Sequence, residues 1–444
     1  MEYLADLKNK IKSKEAKVAV VGLGYVGTPV AALFAEAGFD VLGVDIQEEK
    51  VKKINKGINP IEGKEPGLTE LIEKVVKSGR FQASLDYAKL KNADVIIISV
   101  ETPVDAETKT PRYLALRSAL ESIGKNLKRS TLIVLESTVA PRTMVDLLKP
   151  VLEEVSGLKS GQEFFLAHCP EQLKPGKLIK NIRGCDRVIG AFGNDVGEVV
   201  KMLYSEIVDV DLDITDPLTA EIVKTASNTY RDVQIAFANE LAMICEALGA
   251  DFYKVREFAS KVPTVVDLHF PGAGVGGHCI PKDPWLLISP LKGKLETKII
   301  PDARYINDSM PFHIVELLKE GLDSVGKGLE GTKVAVLGYA YLPNSDDTRD
   351  APSIPMIKEL KNLGAEVRVH DPYVEEYKGD LKKAVEGADA LVMMVAHDEY
   401  LNLDWKKVKE WMGGNILTDG RNVISKEKAT KLGFSYRGVG IGNP

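Results

Sequence analysis

The stretch Lys17-Val18-Ala19-Val20-Val21-Gly22-Leu23-Gly24-Tyr25-Val26-Gly27 decides the fold of this chain. Its first five residues form a short apolar, β-branched run, the pattern of a buried parallel strand. Three glycines in GxGxxG spacing follow at once. Residues 28–38 are small and apolar, as a helix packed on a sheet requires, and residues 40–44 form a second strand that ends in Asp45. Strand, glycine turn, helix, strand and acid make up the full context of a dinucleotide fingerprint, which is far more specific than the turn alone. Gly22 allows the tight turn, Gly24 admits a pyrophosphate to the helix N-terminus, and Gly27 permits close helix–strand packing. Asp45 is placed to accept hydrogen bonds from an adenosine ribose and to repel a 2′-phosphate, so NAD is expected rather than NADP.

The same style continues outward. Residues 93–100 lead into Glu101-Thr102-Pro103, residues 131–135 into Glu136-Ser137-Thr138-Val139, and residues 164–167 into His168-Cys169-Pro170-Glu171. Ligands of an open α/β sheet sit beyond the carboxyl ends of its strands. Thr102, Glu136, Ser137, Thr138 and Glu171 are therefore candidate site residues. Any one of them alone could be an ordinary cap; the recurrence after three strands points to a site.

Residues 331–338 repeat the first strand and turn, 366–372 the second strand with its terminal acid, and 388–395 the third. A second doubly wound sheet is predicted. Its first turn has one glycine, so a second NAD is not expected. Arg349, in Asn344-Ser345-Asp346-Asp347-Thr348-Arg349-Asp350, either contacts a phosphate or nucleotide or pairs with a neighbouring Asp. His370 and His397 read as structural.

Asp216-Pro217 is a helix start, with a capping Asp and Pro at the first helical position, and the pattern runs to Leu248 with Gly249 as its stop. Lys224, Asn228 and Arg231 share one face with Glu221, while Ile222, Val223, Ala226, Ile235, Phe237, Leu241 and Ile244 occupy the others. The helix is apolar enough to be buried. On pattern alone the polar face is either a solvated stripe or a buried set in which Lys224 needs a partner.

Farther on, Gly272-Ala273-Gly274-Val275-Gly276-Gly277-His278-Cys279-Ile280-Pro281-Lys282-Asp283 brings four glycines to one thiol, with a Lys and an Asp just beyond. A thiol near a cation and a carboxylate can become a nucleophilic thiolate; the alternative is an inert buried Cys in a Gly-rich loop. A hydride acceptor and a nucleophilic thiol together suggest oxidation through a covalent thioester.

The chain has 444 residues, enough for two or three domains, is 44% hydrophobic and 27% charged, and carries a formal net charge of −6. Interspersed charge of this sign argues against a nucleic-acid surface. The four cysteines are widely spaced, so neither a disulfide framework nor a metal site is suggested. Charged residues throughout the first seventeen positions argue against a signal peptide, and no apolar run reaches the ~20 residues of a membrane span. The cytoplasm is the expected compartment.

Over nearly its whole length the chain resembles the UDP-sugar 6-dehydrogenases, the family that includes the UDP-glucose and UDP-N-acetylmannosamine enzymes. The resemblance rests on Gly22 to Gly27, Glu101-Thr102-Pro103, Glu136-Ser137-Thr138, Pro170-Glu171, Lys224 with Asn228, Gly276 to Asp283, and Asp347-Thr348-Arg349. It implies an α/β fold with two Rossmann-like doubly wound domains joined by a long central helix. The expected boundaries are 1–205 for NAD binding, 206–312 for a helical dimerisation domain with the thiol loop, and 313–444 for UDP-sugar binding. It also implies a homodimer, with Cys279 as nucleophile and Lys224 and Asn228 holding the sugar and stabilising an oxyanion. Asp283 is the acid near the thiol, and Thr138 and Glu171 serve water activation and hydrolysis. Tyr25, Val26, Lys50, Thr102, Glu136, Ser137, Lys282 and Arg349 join the glycines and Asp45 at the cofactor; Leu173, Arg231, Gly276 and His278 join the sugar contacts. Gly-Gly-His-Cys with Pro271-Gly272 ahead resembles the enzymes of N-acetylated UDP-sugars, with UDP-N-acetylmannosamine as the expected substrate and UDP-N-acetylglucosamine or UDP-glucose as alternatives. The residues 264–267 read Thr-Val-Val-Asp, without the Arg that relatives acting on UDP-N-acetylmannosamine often carry there. A rival enzyme reading is a one-step hydroxyacid dehydrogenase, which needs no thiol, so that Cys279 discriminates; a reading of another class is a non-catalytic sensor of NAD or nucleotide sugar.

Overall fold

Val18 and Val20 enter one apolar layer and Ala19 and Val21 the other, the alternation of a strand covered on both faces. This strand, β1 (Lys17–Val21), lies in an eight-stranded sheet with β2 (Asp40–Val44), β3 (Phe81–Ser84), β4 (Val95–Ile98), β5 (Leu132–Leu135), β6 (Phe165–His168), β7 (Arg187–Ala191) and β8 (Leu212–Thr215). The spatial order is β3-β2-β1-β4-β5-β6-β7-β8, and among these pairings only β6 with β7 runs antiparallel. Order reverses between β1 and β4, so the glycine turn after β1 stands at the topological switch point.

The computed structural model describes residues 2–61, 63, 65–173, 176–265 and 268–442. Val266 and Asp267, in the stretch that lacks the upstream Arg, lie outside the described residues. The chain packs as two compact units, Met1–Ser227 with Trp285–Glu296, and Asn228–Pro284 with Thr297–Pro444. The second unit contains an all-parallel sheet of β9 (Lys333–Leu337), β10 (Glu366–His370), β11 (Ala390–Met393), β12 (Ile416–Asp419) and β13 (Ser435–Gly438), in the order β10-β9-β11-β12-β13. Val334 and Val336 enter one core layer, Ala335 and Leu337 the other. The repeated strand-and-turn pattern thus produced a second doubly wound sheet, of the five-stranded kind.

The central helix spans Pro217–Ala247. Asp216 caps it, accepting from the Thr219 N–H at 3.0 Å, and Gly249 follows its end at φ 73°. The expectation that its apolar faces are buried needs correction: Val223, Tyr230, Phe237 and Ile244 are 42%, 64%, 57% and 48% exposed, and Ile222 is exposed beside them. Their seven-residue spacing forms a continuous stripe, since two helical turns return each to the same side. Among the described residues, no helix is long and apolar enough to cross a membrane.

The first sheet closes over an ion pair. Glu136 ends β5 fully buried, and its Oε1 accepts from Arg187 Nη1 at 2.9 Å and Tyr204 Oη at 3.0 Å, while Ser99 Oγ donates to Oε2 at 3.1 Å. Burial pushes the carboxyl up in pKa, and Arg187 is the cation that offsets it. Arg187→Met is expected to lower unfolding free energy by roughly 3–5 kcal/mol, because it strands a buried carboxylate. Adding Glu136→Gln should recover part of that loss; urea unfolding followed by circular dichroism measures both.

Candidate active site

The turn after β1 is sealed to the sheet at both ends and open in its middle. Gly22 has φ 92°, and a Cβ there would stand 2.6 Å from the Ser99 carbonyl oxygen; one on Gly27 would stand 1.9 Å from that of Gly22. A Cβ on Gly24 would meet nothing within 4 Å. Among the described residues, no side chain caps the helix Gly27–Glu36 that begins here. An open cradle at an uncapped helix N-terminus fits a pyrophosphate. Asp45, 7% exposed, accepts from Leu23 N at 2.7 Å and Gln47 N at 2.9 Å, with Lys50 Nζ 3.4 Å from Oδ2. The acid read from sequence as a ribose contact therefore also holds the turn in shape. Tyr25 and Val26 pack half-buried against the core beside it.

The loops after β4 and β5 are stitched together. Thr102 Oγ1 donates to Thr138 O at 2.6 Å, and Ser137 Oγ donates to Val100 O at 2.6 Å. Thr138 is 8% exposed. Glu136 differs from its neighbours: its oxygens are committed to the buried network under the sheet edge, so the structure gives it a part in supporting this loop.

Lys224 is 3% exposed, and its Nζ lies 3.7 Å from Glu171 Oε1, whose other oxygen accepts from Leu173 N. Of the two readings open in the sequence, the buried one holds for Lys224; Asn228 is half-buried and Arg231 exposed. Below them His168 is fully buried, its Nδ1 2.9 Å from Leu135 O. Burial, with the Lys224 charge adding, pushes its pKa down to about 4, so the ring is neutral at physiological pH.

In the second unit the thiol loop is bolted from several sides. Asn239 Oδ1 accepts from Gly272 N at 2.9 Å, Arg421 Nη2 donates to Gly274 O at 3.2 Å, and Gly277 N donates to Arg349 O at 2.9 Å. Gly276 leaves no space for a Cβ, which would stand 2.5 Å from that of Tyr341. Cys279 is half-buried, and its carbonyl accepts from Lys282 N and Asp283 N at 3.1 and 2.9 Å, which starts the helix Asp283–Ile288. Asp283 is fully buried; Oδ2 accepts from Asn228 Nδ2 at 2.6 Å and Oδ1 lies 3.6 Å from Lys282 Nζ. Arg349 forms a two-pronged pair with Asp347, at 2.9 Å from Nε and 2.6 Å from Nη2, while 41% of its side chain stays exposed. Its local Asp partner is the one the sequence left open as an alternative.

Sequence reasoning assigned no part to Glu65, Tyr113, Arg187, Glu221 or Tyr341. Each acts through a loop it holds rather than through a motif of its own. Glu221 alone gave a signal, one turn before Lys224 on the same helix side.

Comparison with known proteins matches residues 16–208 to the NAD binding domain of the UDP-glucose/GDP-mannose dehydrogenase family, 218–309 to its central domain and 335–426 to its UDP binding domain. A UDP-N-acetyl-D-mannosamine dehydrogenase of Pyrococcus horikoshii is 38% identical over 427 residues, covering 96% of this chain and 100% of that protein. The solved structure of the Pyrococcus horikoshii UDP-D-ManNAc dehydrogenase superposes with a TM-score of 0.90 at 37% identity, over 96% of this chain and 99% of that one. An NDP-N-acetyl-D-galactosaminuronic acid dehydrogenase of Methanosarcina mazei superposes with a TM-score of 0.86 at 38% identity, over 99% and 98% of the two chains.

His278, beside the thiol, is pushed down to about 4 by burial first and then by Lys282 and Arg349. Its imidazole is therefore expected to stay neutral from about pH 5 upward. Side-chain NMR of the histidines should show the His278 resonances, assigned with His278→Gln, flat between about pH 5.5 and 8. A midpoint near 6.5 would contradict this environment.

Proposed function

The chain belongs to the UDP-glucose/GDP-mannose dehydrogenase family, and on that premise we propose that it oxidises the C6 alcohol of UDP-N-acetyl-D-mannosamine to the uronate in two NAD-dependent steps. The observation that carries the reading is Cys279, presented by glycines beside Lys282 and an Asn228–Asp283 pair. A one-step hydroxyacid dehydrogenase has no use for such a thiol, and a sensor has no use for a nucleophile.

The glycine turn Gly22–Gly27, with Asp45, would hold NAD, which when bound would supply the hydride acceptor for each oxidation. After the first, the Cys279 sulfur adds to the C6 aldehyde, whose oxygen takes a proton to complete the thiohemiacetal. Loss of the second hydride and of that proton leaves a thioester. Water adds to it, the C–S bond breaks, the thiol regains its proton and the uronate departs. The covalent step divides one hard oxidation into easier ones. Lys224 supplies positive charge, and Asn228 an amide donor, where oxygen becomes anionic. Thr138 and Glu171 serve the water step, and the Glu171–Lys224 pair holds both groups ready at low solvent exposure. The N-acetyl preference is supported by neutral His278, which offers one donor and one acceptor to an amide, and by the names of the relatives above.

Two oxidations require two NADH per uronate, a ratio that absorbance and product quantitation measure directly; a ratio of one would point to the hydroxyacid reading. Cys279→Ser should release no uronate while still binding NAD. Among sugars, UDP-N-acetylmannosamine should exceed UDP-glucose in kcat/KM by about 10-fold or more, because an unpaired amide partner costs roughly 1–3 kcal/mol. UDP-N-acetylglucosamine is the closest competitor.

The stripe Val223, Tyr230, Phe237 and Ile244 supports a homodimer through the central helix, since an exposed apolar row of this length is covered in stable assemblies. Tyr230→Glu with Phe237→Glu should yield a monomer in sedimentation velocity. A dimer that survives both charges would place the interface elsewhere.

A further inference from the structure

Glu221 sits fully buried on the first turns of the central helix, and both its oxygens are aimed at backbone. Oε2 accepts from Arg142 N at 2.6 Å and Oε1 from Met144 N at 2.7 Å. These amides belong to the loop that leaves β5 through Ser137 and Thr138. Arg142 holds φ 75°, a left-handed backbone that a side-chain-bearing residue keeps only under constraint. The rest of the loop is held by neighbours of the same unit. Tyr113 Oη accepts from Ala140 N at 2.7 Å, Thr143 Oγ1 donates to Ala140 O at 2.6 Å, and Thr102 Oγ1 donates to Thr138 O at 2.6 Å. Glu221 reaches this loop from the helix that carries Lys224, which lies one turn farther on.

We propose that Glu221 is a positioning residue, a two-oxygen clamp that fixes the Thr138 loop in register with the Lys224 turn of the central helix. The proposal rests on the functional reading above for the parts given to Thr138 and Lys224, while the clamp itself is a matter of geometry. A carboxylate presents an acceptor to each amide. A protonated carboxyl, or an amide in its place, turns one oxygen position into a donor against an N–H, so the clamp holds with one prong. Burial, opposed by the two backbone N–H groups, pushes Glu221 up to about 7. The charged groups facing it are Asp146, which adds to the rise, and Arg142, which opposes it and is itself paired with Asp146 at 2.8 Å. On its own helix the nearest cation in sequence is Lys224, engaged with Glu171. The clamp is therefore whole above neutral pH and opens as pH falls through about 7.

The test compares wild type, Glu221→Gln and Glu221→Ala as full chains. Hydrogen–deuterium exchange at pH 8 should speed up in peptides covering 137–148 by about 10-fold or more in Glu221→Gln, with the sheet strands unchanged. With NAD saturating, kcat of Glu221→Gln should fall by about 10- to 100-fold while the KM for nucleotide sugar moves less than about threefold, as a misplaced catalytic loop predicts. The wild-type rise in kcat across neutral pH should be absent from that variant. Unchanged exchange over 137–148 in Glu221→Gln overturns the clamp, whatever the turnover. Accelerated exchange in a protein whose wild type oxidises no nucleotide sugar upholds the clamp and overturns the functional reading instead. If Glu221→Ala fails to fold, Glu221→Gln, which keeps volume and one acceptor, carries the test alone.

Discussion

Backbone N–H groups in the turn after the first strand of a parallel sheet need acceptors, and in both units a carboxylate at the end of the second strand supplies them. In the first unit Asp45 takes Leu23 N at 2.7 Å. In the second, Asp371 takes Tyr339 N at 2.7 Å and Ala340 N at 3.0 Å, with Tyr373 N and Val374 N on its other oxygen. A buried polar backbone left unpaired would cost more than the turn could supply. The two turns diverge in what else the carboxylate meets. Asp45 has Lys50 beside it and Gly24 open before it. Asp371 has His397, fully buried, with Nε2 at 3.1 Å, and the His397 Nδ1 accepts from Asn344 N at 2.9 Å. In the second unit that acid, held well below the usual carboxylate range by His397 and backbone donors despite its burial, anchors the Asn344–Asp350 loop through His397.

Carboxylates do similar structural duty around the first unit. Glu136 ties the end of β5 to Arg187, and Glu65 accepts from Gly176 N at 2.6 Å and Leu178 N at 3.1 Å beyond Glu171. Glu221 holds the loop after β5. Each pKa is pushed up by burial, against hydrogen bonds that favour the charge. Desolvation is the unfavourable contribution, and a fixed loop is what it accompanies. The polar residues of this unit thus fall into two kinds: side chains such as Thr138 and Lys224, for which chemistry is proposed, and buried acids that hold the neighbouring loops still.

The thiol loop of the second unit follows the same logic with other parts. Its glycines admit Tyr341, Pro352 and Arg421 at distances that a Cβ would forbid. Its anchors are an amide, Asn239, joined through Asn307 to the buried Asp232–Arg304 pair, and the Arg421 guanidinium. Asp283 divides its oxygens between Asn228 and Lys282, so the helix amide and the loop cation share one buried acid.

The sequence by itself determined the two doubly wound sheets and the NAD turn, and it marked the Cys279 loop as a candidate site. Those signals are local: strand alternation in Lys17–Val21 and Lys333–Leu337, glycine spacing, Asp216-Pro217 at a helix start, and four glycines around Cys279. The resemblance to UDP-sugar dehydrogenases supplied roles for Lys224, Asn228 and Asp283 that spacing could not. Tertiary structure decided what depends on residues far apart in the chain. It buried Lys224 with Glu171, left Arg231 exposed, engaged Arg349 with Asp347 and turned Glu136 inward to Arg187. Helical periodicity says which residues share a face but not whether that face meets solvent, protein or a second chain, which is why the stripe from Val223 to Ile244 read as core and stands exposed. Likewise, Glu221 reads as one more polar residue on a helix until folding brings the amides of Arg142 and Met144, nearly eighty positions earlier, onto its two oxygens.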